Sequence, residues 1–153
     1  MREGQQNMAD KDDGMIPQDF DGAKVALFIG ENLLTILRDN RPDIPFRNMW
    51  DFPGGGREAG ETPFETMARE VLEEVSLTVP RGAVIWEKKY LGSSAAAEPR
   101  WFFVAQLPAT MAGLIALGDE GQRWALVSEA AYLAKPDAIP HMQSRLRDWQ
   151  AQR

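Results

Sequence analysis

The stretch Gly55–Leu77, GGREAGETPFETMAREVLEEVSL, constrains this chain more than any other part of it, because it reads as a glycine loop feeding a capped amphipathic helix. Thr62-Pro63-Phe64-Glu65 is a capping-box pattern: Thr at the N-cap, Pro at the first helical position and Glu at the third. Phe64, Met67, Ala68, Val71, Leu72 and Val75 then recur at helical spacing as one apolar stripe. Such a stripe must face a core. Glu70, Glu73 and Glu74 fall elsewhere on the helix. At about 100° per residue, Glu73 and Glu74 lie roughly 60° and 40° either side of Glu70.

Like charges three and four apart weaken a helix by about a few tenths of a kcal/mol per pair. A bound cation converts that repulsion into coordination, and Mg²⁺ suits a few carboxylates that leave room for water and phosphate. Taken alone, the three glutamates also read as a solvated face. Arg69 also reads as a surface ion-pair partner of Glu65 or Glu73, worth little. The joint spacing of Gly55, Glu61, Arg69, Glu70, Glu73 and Glu74 favours a built site.

Written as G-x5-E-x7-R-E-V-x-E-E-x-S-L, the stretch resembles the signature of the Nudix hydrolases, with Ser76 where the family has Gly. The resemblance implies Mg²⁺, or Mn²⁺ in its place, on a loop–helix–loop that hydrolyses nucleoside diphosphates linked to another group. By position, Glu70, Glu73 and Glu74 resemble the metal-binding carboxylates, Arg69 the arginine that orients them, and the Gly54 carbonyl a further metal ligand. Gly55 and Glu61 match the remaining signature positions and are expected beside the substrate. Metal ions there neutralise phosphates and activate water for attack on phosphorus.

Two further stretches resemble the MutT branch, which hydrolyses nucleoside triphosphates. Trp50-Asp51-Phe52-Pro53-Gly54-Gly55 is similar to its W-E-F-P-G-G, although three successive glycines alone would be an ordinary turn. Asp119-Glu120-Gly121-Gln122 followed by Trp124 looks like its K-E-G-Q…W loop. The resemblance makes Glu120 an extra metal ligand or the catalytic base; without it, Glu120 is a surface loop carboxylate. Ser76 falls where glycine normally provides a left-handed helix cap, at a cost on the order of 1 kcal/mol. Members that clear oxidised guanine nucleotides read the base with an Asn near the C-terminus. Ala138–Met142 offers none, which counts against 8-oxo-guanine specificity.

A length of 153 residues predicts one domain with a real core. The absence of cysteine excludes a disulfide framework, thiolate metal site or cysteine nucleophile and fits a cytoplasmic location. The longest apolar runs fall short of a membrane span, and the N-terminus lacks a signal-peptide core. A net charge of −6 argues against general nucleic-acid binding but not against metal-bound nucleotides.

Met1–Asp21, with six acidic and two basic residues, is expected to be a mobile tail, and 22–153 the single domain. Strands are expected over Lys24–Ile29, Leu33–Arg38, Val84–Tyr90, Trp101–Leu107 and Trp124–Val127, with a loop over Asp39–Met49. A short helix opens at Ser128 and a terminal one at Pro140. Strands mixed with few helices predict an α+β fold. The resemblance implies the Nudix version, a mixed sheet sandwiched between helices.

Arg38 ends the second strand where relatives contact nucleotide, although strand-end cations are common on surfaces. His141, the single histidine, reads more simply as a helix-start residue than as an acid or base contact. Trp50, Trp101 and Trp124 are expected in the core. The expected activity is Mg²⁺-dependent cleavage of a nucleoside or deoxynucleoside triphosphate to monophosphate and pyrophosphate. The alternatives are another nucleoside diphosphate derivative (ADP-ribose, a dinucleoside polyphosphate or an RNA 5′ end) or a binding module without turnover. Family members are often homodimers, but no patch in the sequence marks an interface.

Overall fold

The computed structural model describes residues 19–92 and 97–153. Most of the expected acidic tail, 1–18, lies outside the described residues. Its last residues belong to the packed body: Phe20 is buried beneath the Arg57 guanidinium, and the Asp21 N–H donates to the Pro99 carbonyl.

Seven strands form one sheet: β1 (Gly22–Ile29), β2 (Asn32–Leu37), β3 (Trp50–Asp51), β4 (Gly54–Gly56), β5 (Val84–Tyr90), β6 (Arg100–Leu107) and β7 (Arg123–Val127). Among the described residues three α-helices accompany it: α1 (Pro63–Val75), α2 (Glu129–Ala134) and α3 (Pro140–Gln150). The sheet runs β3-β2-β1-β6-β5, with β4 on β1 and β7 on β2. The β1–β6 pair is parallel and the other pairs antiparallel, so the sheet is mixed. Short 3₁₀ turns at Arg81–Ala83 and Ala109–Leu114 were not expected; neither has the apolar periodicity that marks a longer helix.

Alternation along β1 divides the core between two faces. Val25, Leu27 and Ile29 pack with Met67, Val71 and Val75 of α1. Ala26 and Phe28 pack with Tyr132, Met142, Leu146 and Trp149 from the α2–α3 side. The sheet is thus sandwiched between helices, the version of the α+β class that the resemblance implied. Trp50 is buried in the second cluster, while Trp101 and Trp124 pack against the first. Among the described residues no helix is long and apolar enough to cross a membrane.

The capping box of α1 is formed. The Glu65 N–H donates to Thr62 Oγ1 at 3.2 Å, and the Thr62 N–H donates to Glu65 Oε1 at 2.9 Å. One member of the expected stripe departs: Leu72 is 53 % exposed. It sits about 100° round from buried Val71, past the edge of the face that the sheet covers.

Ser76 caps α1 in the left-handed conformation (φ 66°), as its motif position predicts. Its hydroxyl donates to the Ala116 carbonyl at 2.9 Å, which offsets part of the strain. Ser76→Gly removes the strain and the hydrogen bond together, so its stability should stay within about 0.5 kcal/mol of the parent. Ser76→Ala keeps the strain and loses the bond, and should cost about 1 kcal/mol in urea denaturation. Equal stability of the Ala and Gly variants would contradict this account.

Candidate active site

The site forms where β1 changes partners. The end of β1 pairs with β2 (Phe28↔Leu33, Ile29↔Asn32), and its start pairs with β4 (Gly22↔Gly56, Lys24↔Gly54). The fork between them brings Lys24 of β1 to Asp51 of β3 and to the glycine loop. Gly54 has φ 131°, and a Cβ there would collide with the backbone of Ala23 and Lys24. At Gly55 a Cβ would lie 2.6 Å from the Glu70 carboxyl carbon. Glycine therefore lets the loop close onto both the sheet and the acidic face of α1.

Arg69 is the hub of that face. Its Nε donates to Glu61 (2.6 Å), and Nη1 reaches Glu70 (3.0 Å) and Glu73 (3.2 Å). Nη2 donates to the Gly56 carbonyl at 2.8 Å. Glu61, expected beside the substrate, is instead taken up by its own partners: Arg69, the Thr66 hydroxyl and the Glu58 N–H. The Arg69 hydrogen bond above all holds its carboxyl down at about 2. Glu61 therefore anchors Arg69, and Arg69 spaces the glutamates. Lysine cannot span these partners with one ammonium. Arg69→Lys should lower turnover about tenfold to a hundredfold through misplaced carboxylates; turnover within twofold of the parent would contradict this arrangement.

The glutamates differ in environment. Glu74 is pushed up to about 7, chiefly by burial, although nearby Lys24 and the Gly54 N–H oppose the shift. That N–H donates to Glu74 Oε1 at 2.8 Å. Burial also raises Glu70, against the pull of Arg69. The Glu73 side chain is 57 % exposed.

Glu120 reaches these carboxylates through the end of α1. The Ala116 N–H donates to the Val75 carbonyl (3.1 Å), and the Gly118 N–H to the Glu74 carbonyl (2.9 Å). The loop is thereby pinned to the helix that carries the glutamates. Glu70, Glu73, Glu74, Asp119 and Glu120 line one cavity of about 400 Å³. An adjoining cavity of about 580 Å³ is lined by Glu70, Glu74 and Glu120 together with Gly54, Gly55, Lys24, Arg38, Arg100, Phe46 and His141.

Lys24 and Asp51 of this cavity make contacts that the sequence did not reveal. Lys24 Nζ donates to Asp51 Oδ2 (2.8 Å), the Phe52 carbonyl (3.2 Å) and the Gly54 carbonyl (3.1 Å). Asp51 is buried, and it also accepts from Arg38 Nη1 (3.2 Å) and the Phe52 N–H (2.8 Å). The available signal was a lone lysine inside the apolar run of β1, GAKVALFI. Arg38, expected to meet substrate, lines the cavity while its guanidinium is held by Asp51 and the Pro45 carbonyl. His141 also lines it, tilted against Phe46 with ring centroids 5.2 Å apart, and burial lowers its pKa.

Among the described residues no group of three or more His, Asp or Glu side chains is drawn together as a ready metal cluster. Arg69 and the Gly54 N–H hold the carboxylates individually. Their chemistry nonetheless fits a hard divalent cation. The donors are all oxygen, and Glu70 and Glu74 are carboxylates whose burial makes ionisation costly without a counter-charge.

The family model described as "NUDIX domain" matches residues 21–149. Over 64 residues the chain is 36 % identical to an 8-oxo-dGTP diphosphatase of Escherichia coli (strain K12), covering 42 % of this chain and 49 % of the relative. Over 36 residues it is 53 % identical to an RNA pyrophosphohydrolase of Sulfurovum sp. (strain NBC37-1), covering 24 % of this chain and 22 % of the relative. The matches thus span at most about half the length of these curated relatives. The crystal structure of a MutT protein from Methanosarcina mazei Go1 superposes with a TM-score of 0.68 at 18 % identity, over 90 % of this chain and 96 % of that one. At that identity the likeness speaks to the fold.

Proposed function

The chain belongs to the NUDIX-domain family, and from that premise we propose that it is a Mg²⁺-dependent pyrophosphohydrolase that cleaves a nucleoside or deoxynucleoside triphosphate to monophosphate and pyrophosphate. The observation that carries this reading is the joint lining of one cavity by Glu70, Glu74 and the Gly54 backbone together with Arg38 and Arg100. Oxygen donors suit a cation that binds phosphate, and the arginines suit the anionic substrate itself.

Glu70, Glu73, Glu74 and the Gly54 carbonyl would hold Mg²⁺, or Mn²⁺ in its place, with Glu120 as the loop-borne addition. The bound cation supplies charge neutralisation at the phosphates and a more acidic water. Arg69 keeps Glu70 and Glu73 in place through its hydrogen bonds. Lys24 holds the Gly54 carbonyl at the β1 fork. A carboxylate of the set would accept the proton of the attacking water, and the lining of both cavities by Glu74 and Glu120 supports either of them in that role.

The relatives bear names that point to different substrates, an oxidised deoxynucleotide and an RNA end. The decisive experiment is a Mg²⁺-supported panel of nucleoside triphosphates, 8-oxo-dGTP, ADP-ribose, dinucleoside polyphosphates and 5′-triphosphorylated RNA, scored by product identity. Monophosphate and pyrophosphate from triphosphates support the proposal. Turnover confined to ADP-ribose, dinucleotides or RNA moves the substrate elsewhere. Nucleotide binding with every compound intact supports a binding module instead.

A further inference from the structure

We propose that Gln122 is a positioning residue for the substrate: its side-chain amide ties segment 39–49, which forms one wall of the cavity mouth, to the loop that carries Glu120. This rests on the pyrophosphohydrolase reading only for what the cavity binds. Gln122 Nε2 donates to the Arg38 carbonyl at 2.7 Å and to Asn48 Oδ1 at 2.9 Å. Its backbone N–H donates separately to the Leu37 carbonyl at 2.8 Å. One exposed amide thus bridges both ends of a loop separated from it by 74 to 84 residues.

That loop needs holding. Phe46 and Asn48 both lie in the left-handed region, at φ 54° and 59°. Asparagine tolerates this conformation, whereas phenylalanine does so only when its surroundings impose it. Besides the Arg38 N–H to Met49 carbonyl bond that closes its base (2.9 Å), the interior of the segment has few other ties: Asn48 N–H to the Asp39 carbonyl (3.2 Å), Ile44 N–H to the Arg41 carbonyl (3.3 Å), Arg41 Nε to Asp43 Oδ1 (3.2 Å) and Arg38 Nε to the Pro45 carbonyl (3.0 Å). Phe46 is 43 % exposed, yet it leans on His141 at the mouth of the cavity that Arg38 also lines. Loosening the segment therefore moves the wall that a substrate touches. Loss of the Gln122 side chain leaves its backbone anchor intact, so the Glu120 loop stays in place.

The test uses the full chain with Gln122→Ala, Asn48→Gly and the double variant, since glycine keeps the positive φ at 48. Hydrogen exchange followed by mass spectrometry should show faster exchange across 39–49 in each variant, with 116–121 unchanged. With Mg²⁺ and the best triphosphate of the panel, each single variant should raise KM about five- to tenfold and keep kcat within about twofold. The double variant should be no worse than Gln122→Ala alone, because the Gln122–Asn48 bond that Asn48→Gly removes is one of the two that Gln122→Ala already removes. Unchanged exchange in 39–49 overturns the proposal whatever the kinetics. Faster exchange with unchanged KM, or additive KM effects, also overturns it. If the parent turns over no triphosphate, that failure belongs to the hydrolase reading. The same KM comparison then becomes a calorimetric affinity for the triphosphate, and equal affinity of parent and Gln122→Ala overturns the positioning role.

Discussion

Glu74→Gln should abolish most activity while making the metal-free protein more stable. Turnover is expected to fall about a hundredfold or more, because the most buried oxygen donor of the acidic face loses its charge. In chelator, the same variant should unfold at higher urea. The glutamine carbonyl can still accept from the Gly54 N–H, and the cost of ionising a buried carboxyl disappears. The folded pKa of Glu74, about 7, lies above its ordinary value, so the folded chain binds more protons than the unfolded one between about pH 4.5 and 7. Stability in chelator should therefore fall as pH rises through that window and level off above it. In Glu74→Gln that part of the slope should vanish, leaving a gain of about 3 kcal/mol at pH 8. A variant that loses both activity and stability would show that Glu74 serves the fold.

Asp51→Ala should be the most destabilising single change near the site, at about 3 kcal/mol. Asp51 is 4 % exposed and joins Lys24, Arg38 and the Phe52 N–H. Its removal leaves two cations facing each other across the fork with carbonyls as their remaining partners. Breaking one side of a buried charge network costs far more than breaking a surface pair. The Arg41–Asp43 pair provides the control, since both side chains are more than half exposed. Asp43→Ala should change stability by less than about 0.5 kcal/mol. Urea titrations of the two variants measure the contrast, and similar losses for both would refute the importance of the fork.

The local features of this fold were legible because they depend on neighbours in sequence. The capping box of α1, the left-handed Ser76 and the helix start at Pro140 each follow from a few adjacent residues. The strands at β1, β2, β5, β6 and β7 also appeared within one or two residues of their expected bounds. What escaped notice depends on residues far apart. Lys24 meets Asp51 across 27 positions, and Gln122 meets Asn48 across 74. Periodicity carries no information about such meetings. Leu72 shows the same limit within a helix, because the sheet's width decides how much of the apolar stripe is covered. Glu61 shows it at the site: its motif position was plain, but its service to Arg69 appears only once the helix and glycine loop are set against each other.

The central claim is that the Glu70–Glu73–Glu74 face holds the divalent cation that the reaction needs. Titration of Mn²⁺ followed by electron paramagnetic resonance, with and without nucleotide, tests it without relying on turnover. The parent chain should bind Mn²⁺ and bind it more tightly with nucleotide present. The triple variant Glu70→Gln, Glu73→Gln, Glu74→Gln should stay folded and lose that binding. Equal Mn²⁺ binding by the parent and the folded triple variant would contradict the claim.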